Sequence, residues 1–314
     1  MQNQFYQTPF QKRSLAADFR STARETLKGR WGLAIGLFLL ATILGLSNGV
    51  AFSFGTESVQ LSDDPRLWMK ELQAIRNALE SGHFSSSFEA TKYYLIGGQS
   101  LLDVFLDGVF SLAFALLVGA PISVGYHKFL LLYADRNPEA RTGILFSEFG
   151  GSRYGKTMCL HLLIGAIHGI VPVLTSVLTV FLCVLGLMTF NPALLMLAGL
   201  VGIGGAVASV WVSAHLALCY YIYAEYPDLA VTDVIRNSIQ LMNGNKWRWF
   251  CLQCSFIGWL LLTAICTCGI ATVLYVAPYM NAANTAFYNE ISGRDTAKEV
   301  EFPSINPDDY FPQV

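Results

Sequence analysis

Charge is what this chain has least of. Only 13 per cent of its 314 residues are Asp, Glu, Lys or Arg, about half of the ~25 per cent found in an ordinary soluble domain. The net charge of −2 comes with no concentrated basic face, so nucleic acid is not expected as a partner. A phosphate loop is missing too, because no Lys-Ser/Thr pair follows the glycine-rich stretch 199–205. Nor is there a nucleophile elbow, a metalloprotease histidine pair or a nucleotide fingerprint. Long uninterrupted apolar runs take the place of charge. Residues 31–54 run 24 positions without a charged side chain, and residues 178–218 run 41. Roughly 20 apolar residues cover the ~30 Å hydrocarbon core of a bilayer. Soluble enzyme classes are thereby largely excluded, and an all-α, multi-span membrane protein is expected.

The N-terminal 30 residues hold Lys12, Arg13, Arg20, Arg24, Lys28 and Arg30 against Asp18 and Glu25. This lead is too long and too polar for a signal peptide, so 31–54 reads as a retained first span. Leu15, Phe19, Ala23 and Leu27 recur at four-residue steps, with Arg20, Arg24 and Lys28 off that stripe. Such an amphipathic helix suits either an anionic membrane surface or the protein's own flank. The first connection, 55–98, carries another helix signal, since Asp63-Asp64-Pro65 is a good start. Further spans are expected within 101–133, from 157 towards 188, over 193–224, over 248–266 and over 270–288, with the last break at Gly269. Pro121 and Pro172 fall inside two of them. Gly199, Gly202, Gly204, Gly205 and Ala208 form a small-residue surface in the fourth. An amphipathic helix over 228–244 precedes the fifth, and 293–314 reads as a disordered tail.

Seven cysteines lie at 159, 183, 219, 251, 254, 266 and 268. On one helix the pairs at 251/254 and 266/268 stand about 18 Å apart at 1.5 Å per residue. One zinc ion cannot hold both, so they read as small buried hydrophobes, and neither a metal nor a cofactor is expected.

Three places share a glycine and a basic residue ahead of a span: Gly29-Arg30-Trp31, Gly155-Lys156-Thr157 and Gly244-Asn245-Lys246-Trp247. Three others close an apolar run with tyrosine, any residue, then an acid: Tyr133-Ala134-Asp135, Tyr223-Ala224-Glu225 and Tyr288-Asn289-Glu290. These motifs suggest three units, each a cytoplasmic-face amphipathic helix followed by a two-span hairpin. Six spans with the N-terminus inside leave 16 Lys and Arg on inner segments and 4 on outer ones. Five spans, the alternative, give 14 against 6. The positive-inside bias favours six. The organisation expected is an N-terminal helix (1–30), a six-span domain (31–292) with its extracytoplasmic connection, and a cytoplasmic tail (293–314).

Asn237-Ser238, Leu241 to Trp247, Phe250, Ser255 to Trp259, Gly269-Ile270, Pro278-Tyr279 and Ala286-Phe287-Tyr288 resemble a bacterial family of integral membrane proteins, domain of unknown function 975. Ala23 to Trp31 is similar to its opening, and Phe146, Phe149 and Tyr154-Gly155-Lys156 to its middle. The resemblance implies a multi-pass protein of the bacterial cytoplasmic membrane and brings no reaction, ligand or catalytic residue with it.

Intramembrane ionisable groups are the usual pointer to function in such a chain. Here His161, His168 and His215 are candidates for a polar pathway, against the commoner role of bonding one helix to another. Asp103 and Asp107 share a helix face and suit either an acid/base pair or a solvated helix start. Arg30, Trp31, Lys156, Lys246, Trp247, Arg248 and Trp249 are candidates for headgroup or interface contacts. The leading reading is a non-enzymatic protein that binds or organises membrane lipid, or a membrane partner or second copy of itself. The alternative is a small-solute transporter or channel through the third and fourth spans.

Overall fold

The computed structural model describes residues 14–46, 101–151, 153–189, 191–267 and 270–294, and among them there is no strand. The end of the first span, the connection 55–98 with its helix signal, Cys268, Gly269 and the tail beyond Arg294 lie outside the described residues. Three helical stretches are long and apolar enough to cross a membrane, Phe105–Ala134, Arg153–Leu187 and Pro192–Glu225. A fourth is added if α1 (Ala16–Leu27) and α2 (Trp31–Leu44 in that pairing), bent by 100° to each other, count as one span.

That bend follows from Gly29, whose φ of +80° turns the chain between the two helices. Asp18 accepts the Leu15 N–H at 2.8 Å and closes the first turn of α1. Its stripe of Phe19, Ala23 and Leu27 is buried on the protein itself, Phe19 meeting Phe287 edge-on at 5.4 Å between centroids. Leu15, counted with that stripe, is exposed. Helix α2 (Trp31–Ala41) continues into a π-helical turn, Thr42–Leu46.

The second span is α3 (Leu101–Phe114), a π-turn Ala115–Gly119, then α4 (Ala120–Ala134). Pro121 has no N–H for the carbonyl four residues back. That carbonyl, on Leu117, instead accepts from the Tyr154 hydroxyl at 2.8 Å, which is how a neighbouring helix accommodates proline in a span. A short 3₁₀ segment, Thr142–Phe146, then lies against α4. Contact is so close at Gly125 that a Cβ there would stand 2.4 Å from the Leu145 carbonyl oxygen.

Helix α5 (Arg153–Thr189) and α6 (Pro192–Leu216) form a long hairpin, and α7 (Cys219–Glu225) completes its second arm. Asn191 caps α6 by accepting the Ala193 N–H at 3.0 Å. Two of the small residues do admit the partner helix. A Cβ at Gly205 would lie 2.6 Å from Thr175, and one at Gly202 would touch Thr179 at 3.9 Å, whereas Gly199 and Gly204 face open space. Only 6 per cent of the most apolar window of α5 is buried, so lipid is the environment that suits its outer surface.

Helix α8 (Val231–Met242) precedes α9 (Lys246–Thr267), and a π-turn Thr272–Val276 leads into α10 (Ala277–Ile291). The last two elements occupy the expected fifth and sixth spans without being among the three apolar stretches. For α10 the sequence explains this, since it carries Asn281, Asn284, Asn289 and Glu290. Helix α10 is largely buried within the bundle, so its environment is other helices, not lipid. The core runs through α4, α7 and α10, filled by Tyr126, Phe129, Tyr133, Ile222, Tyr223, Phe287 and Tyr288.

Three glycines at positive φ each stand two residues before a helix: Gly29 before Trp31, Gly151 before Arg153 and Gly244 before Lys246. Gly155, matched by sequence to the other two, lies instead inside α5. The equivalent turn is one helical turn earlier, at Gly151.

Candidate functional site

A cleft of about 190 Å³ opens among these apolar helices. His127 of α4, Ser213 of α6, Tyr221 of α7, Trp249 and Gln253 of α9, and Asn281, Asn284 and Phe287 of α10 line it, with Ala217 and Leu218 at the turn between α6 and α7. No Asp, Glu, Lys or Arg is among the lining residues.

Local helix geometry sets each group. The His127 Nδ1 lies 2.7 Å from the Ser123 carbonyl one turn earlier, so Nδ1–H donates and Nε2 keeps its lone pair. The turn at 217–218 restarts the helix so that Tyr220 stacks on the imidazole at 5.1 Å while Tyr221 meets it edge-on at 4.6 Å. On α10, Asn281 and Asn284 are three apart and share a face. Asn281 donates to the Tyr126 hydroxyl at 3.0 Å. Gln253 donates to Asn284 Oδ1 at 2.7 Å. Thr285 gives its proton to the Asn281 carbonyl at 2.8 Å, so Tyr221, 3.4 Å away, is the donor to Thr285 Oγ1. Ser213 donates to the Ser209 carbonyl at 2.7 Å, so its oxygen is left as an acceptor.

The three histidines proposed from sequence are dispersed about this cleft. His161 is buried, with its Nδ1 2.8 Å from the Tyr220 hydroxyl, and is thus joined through one tyrosine to His127. His168 is exposed, its Nε2 3.5 Å from Ser213 Oγ. His215 stands apart, bonding the Trp211 carbonyl through Nδ1 and accepting from Ser238 through its own carbonyl, both at 2.7 Å. His127, Gln253, Asn281 and Asn284 were missed by sequence reasoning. Their signal was present, as polar residues within otherwise apolar stretches.

Of the interface candidates, Trp247 is 73 per cent exposed and stacks on Phe250 at 5.4 Å, and Lys156 is exposed. Lys246 Nζ sits 4.7 Å from the Trp211 ring centre. Trp31 stacks on Tyr275 at 4.9 Å, and Trp249 lines the cleft. Both arginines are engaged by the protein. Arg30 donates to the Tyr133 carbonyl at 3.1 Å and covers its ring at 4.4 Å. Arg248 pairs with Glu290 and donates to the Ser14 carbonyl at 2.9 Å. Asp107 is exposed, and the Asp103 side chain lies outside the described residues. Among the described residues no group of three or more His, Cys, Asp and Glu side chains is placed to hold a metal ion.

The acids of the three Tyr-x-acid motifs meet at one end of the bundle. Arg294 bridges two of them, Asp135 at 2.5 Å and Glu225 at 3.5 Å, and the Tyr288 hydroxyl donates to Glu225 at 2.5 Å. The third, Glu290, is the Arg248 partner. Beside them, burial and the Glu225 carboxylate push the Tyr226 phenol above its ordinary pKa. The helices that end here, α4, α7 and α10, are the ones that supply His127, Tyr221 and Asn284 to the cleft one to two turns away.

A family model described as protein of unknown function (DUF975) matches residues 15–295. The chain belongs to that family. No curated protein and no solved structure matches it.

Proposed function

We propose that this member of the DUF975 family crosses the bacterial cytoplasmic membrane six times, with both termini inside, and binds a small polar solute in the cleft as the central site of a transporter or channel. The observation that carries this is a polar, uncharged cavity among helices whose outer surfaces are apolar, the usual form of a ligand site between bundle helices.

The six-span scheme is supported by contacts between the first and last residues of each hairpin. Arg30 touches Tyr133, Arg153 lies 4.0 Å from Asp228, and Arg248 pairs with Glu290. Each pair of arms therefore starts and finishes at the same end of the bundle, as an even number of crossings requires. Ser14, near the N-terminal end of the described chain, donates its N–H to Glu290 at 3.4 Å, which supports both termini on one side. The shared placement of Gly29, Gly151 and Gly244 supports a threefold plan. The lysine and arginine bias supports that side being the cytoplasm.

Lipid organisation, the reading the sequence favoured first, is supported by the exposed Trp247–Phe250 pair and by Lys156. It draws less support from Arg30 and Arg248, whose guanidinium groups are taken up by the protein. Native mass spectrometry of the protein released from its own membrane tests the choice. A small-molecule adduct that disappears in Asn281→Leu is expected. Adducts of phospholipid alone, unchanged by that substitution, would refute the solute site and favour the lipid one.

A further inference from the structure

From the hydrogen-bond balance of the cleft we infer that its ligand is uncharged and presents a donor and an acceptor side by side, as a primary amide or urea does. This rests on the proposal that the cleft holds a small solute.

The internal bonds decide which groups are left for a ligand. Gln253 spends one N–H on Asn284 Oδ1. That leaves the Gln253 carbonyl oxygen as an acceptor, beside its second N–H, and the Asn284 amino group as a donor, on two amides already in contact. Asn281 spends one N–H on Tyr126 and keeps its side-chain oxygen and its other N–H. His127 Nε2 and the Ser213 lone pairs are further acceptors, their own protons being committed to the Ser123 and Ser209 carbonyls. The cleft thus offers both kinds of partner, with an acceptor and a donor adjacent at Gln253 and Asn284. A primary amide satisfies both at once, its N–H to Gln253 and its carbonyl to Asn284.

Charged ligands fit worse. A carboxylate only accepts, so it can use the amide N–H groups but leaves the acceptors of His127, Gln253 and Ser213 unmatched. An ammonium only donates, so it can use those acceptors but leaves the Asn284 amino group opposed. Either ion would also enter with no counter-charge on the lining, and an unpaired ion is costly to take out of water. The aromatic faces of Trp249 and Phe287 attract a cation, as do the side-chain acceptors of the lining, so an ammonium is the sharpest competitor to include. Size points the same way. A volume of about 190 Å³ is room for roughly six waters at ~30 Å³ each, and so for a ligand of only a few heavy atoms.

The test uses the full-length protein in phospholipid nanodiscs with an equimolar mixture of acetamide, acetate and methylammonium, read by saturation-transfer difference NMR. Acetamide is expected to receive saturation while the two ions do not. Asn284→Asp keeps the side-chain shape and replaces the donor by a carboxylate. It should weaken acetamide at least tenfold and bring methylammonium into the cleft. The panel on the unsubstituted protein decides by itself if that variant does not fold. Saturation of acetate or methylammonium equal to that of acetamide would overturn the neutral-ligand inference while leaving a solute site standing. Absence of all three signals would overturn both.

Discussion

Arg294 holds the ends of α4 and α7 together, and its removal should be costly in a way that can be apportioned. Its side chain is 19 per cent exposed, and those of its partners Asp135 and Glu225 are 17 and 19 per cent exposed. Exposed ion pairs contribute about 0–1 kcal/mol, whereas removing one partner from a buried pair costs about 3–5 kcal/mol. A group one-fifth exposed lies between these limits, nearer the buried one. Arg294→Gln leaves two carboxylates without their shared counter-charge, so about 3 kcal/mol is the expected loss. At roughly 2–4 °C per kcal/mol for a chain somewhat smaller than this one, the unfolding midpoint should fall by about 6–10 °C. Intrinsic-fluorescence melting in nanodiscs would measure it. The decisive comparison is Arg294→Gln combined with Asp135→Asn. If the cost is electrostatic, the second substitution relieves the stranded carboxylate, and the pair costs less than the sum of the singles by about 1–2 kcal/mol, within the range for directly coupled residues. Strict additivity, or a fall of under 2 °C for Arg294→Gln, would refute the bridging role.

Two further outcomes test the packing and the topology. Gly205→Ala should destabilise the α5–α6 hairpin by about 1–3 kcal/mol through overpacking against Thr175. Gly204→Ala, in open space, should be neutral or stabilising by up to ~1 kcal/mol from helix propensity; equal melting of the two variants would contradict the close approach. A reporter fused behind Val314 should be active only in the cytoplasm, and activity confined to the periplasm would remove the even-crossing scheme.

The parts of this molecule legible in the sequence are those written as a period or a run. The apolar stretches marked α5 and α6, and Asn191-Pro192 marked the turn between them. Gly244 marked the end of α8, where it does take positive φ. Cys251 and Cys254 lie on α9 as free thiols, within the apolar run where the sequence placed them. The misplaced glycine shows one limit. Gly155-Lys156 shares the glycine and basic residue of its counterparts, but left-handed backbone is a property of the turn, and Gly151 occupies the turn. The neighbours Arg248 and Trp249 show another. Both were read as anchors at one interface, yet successive helix residues are about 100° apart around the axis. Arg248 accordingly turns to Glu290 and the Ser14 carbonyl while Trp249 turns into the cleft. A site assembled in this way draws one to three side chains from each of five helices, and no single segment bears its signature. What each segment does bear is a polar residue that the bilayer would not tolerate on its outer face. His127, Gln253, Asn281 and Asn284 each need a partner inside the bundle, and they converge because a bundle has only one inside.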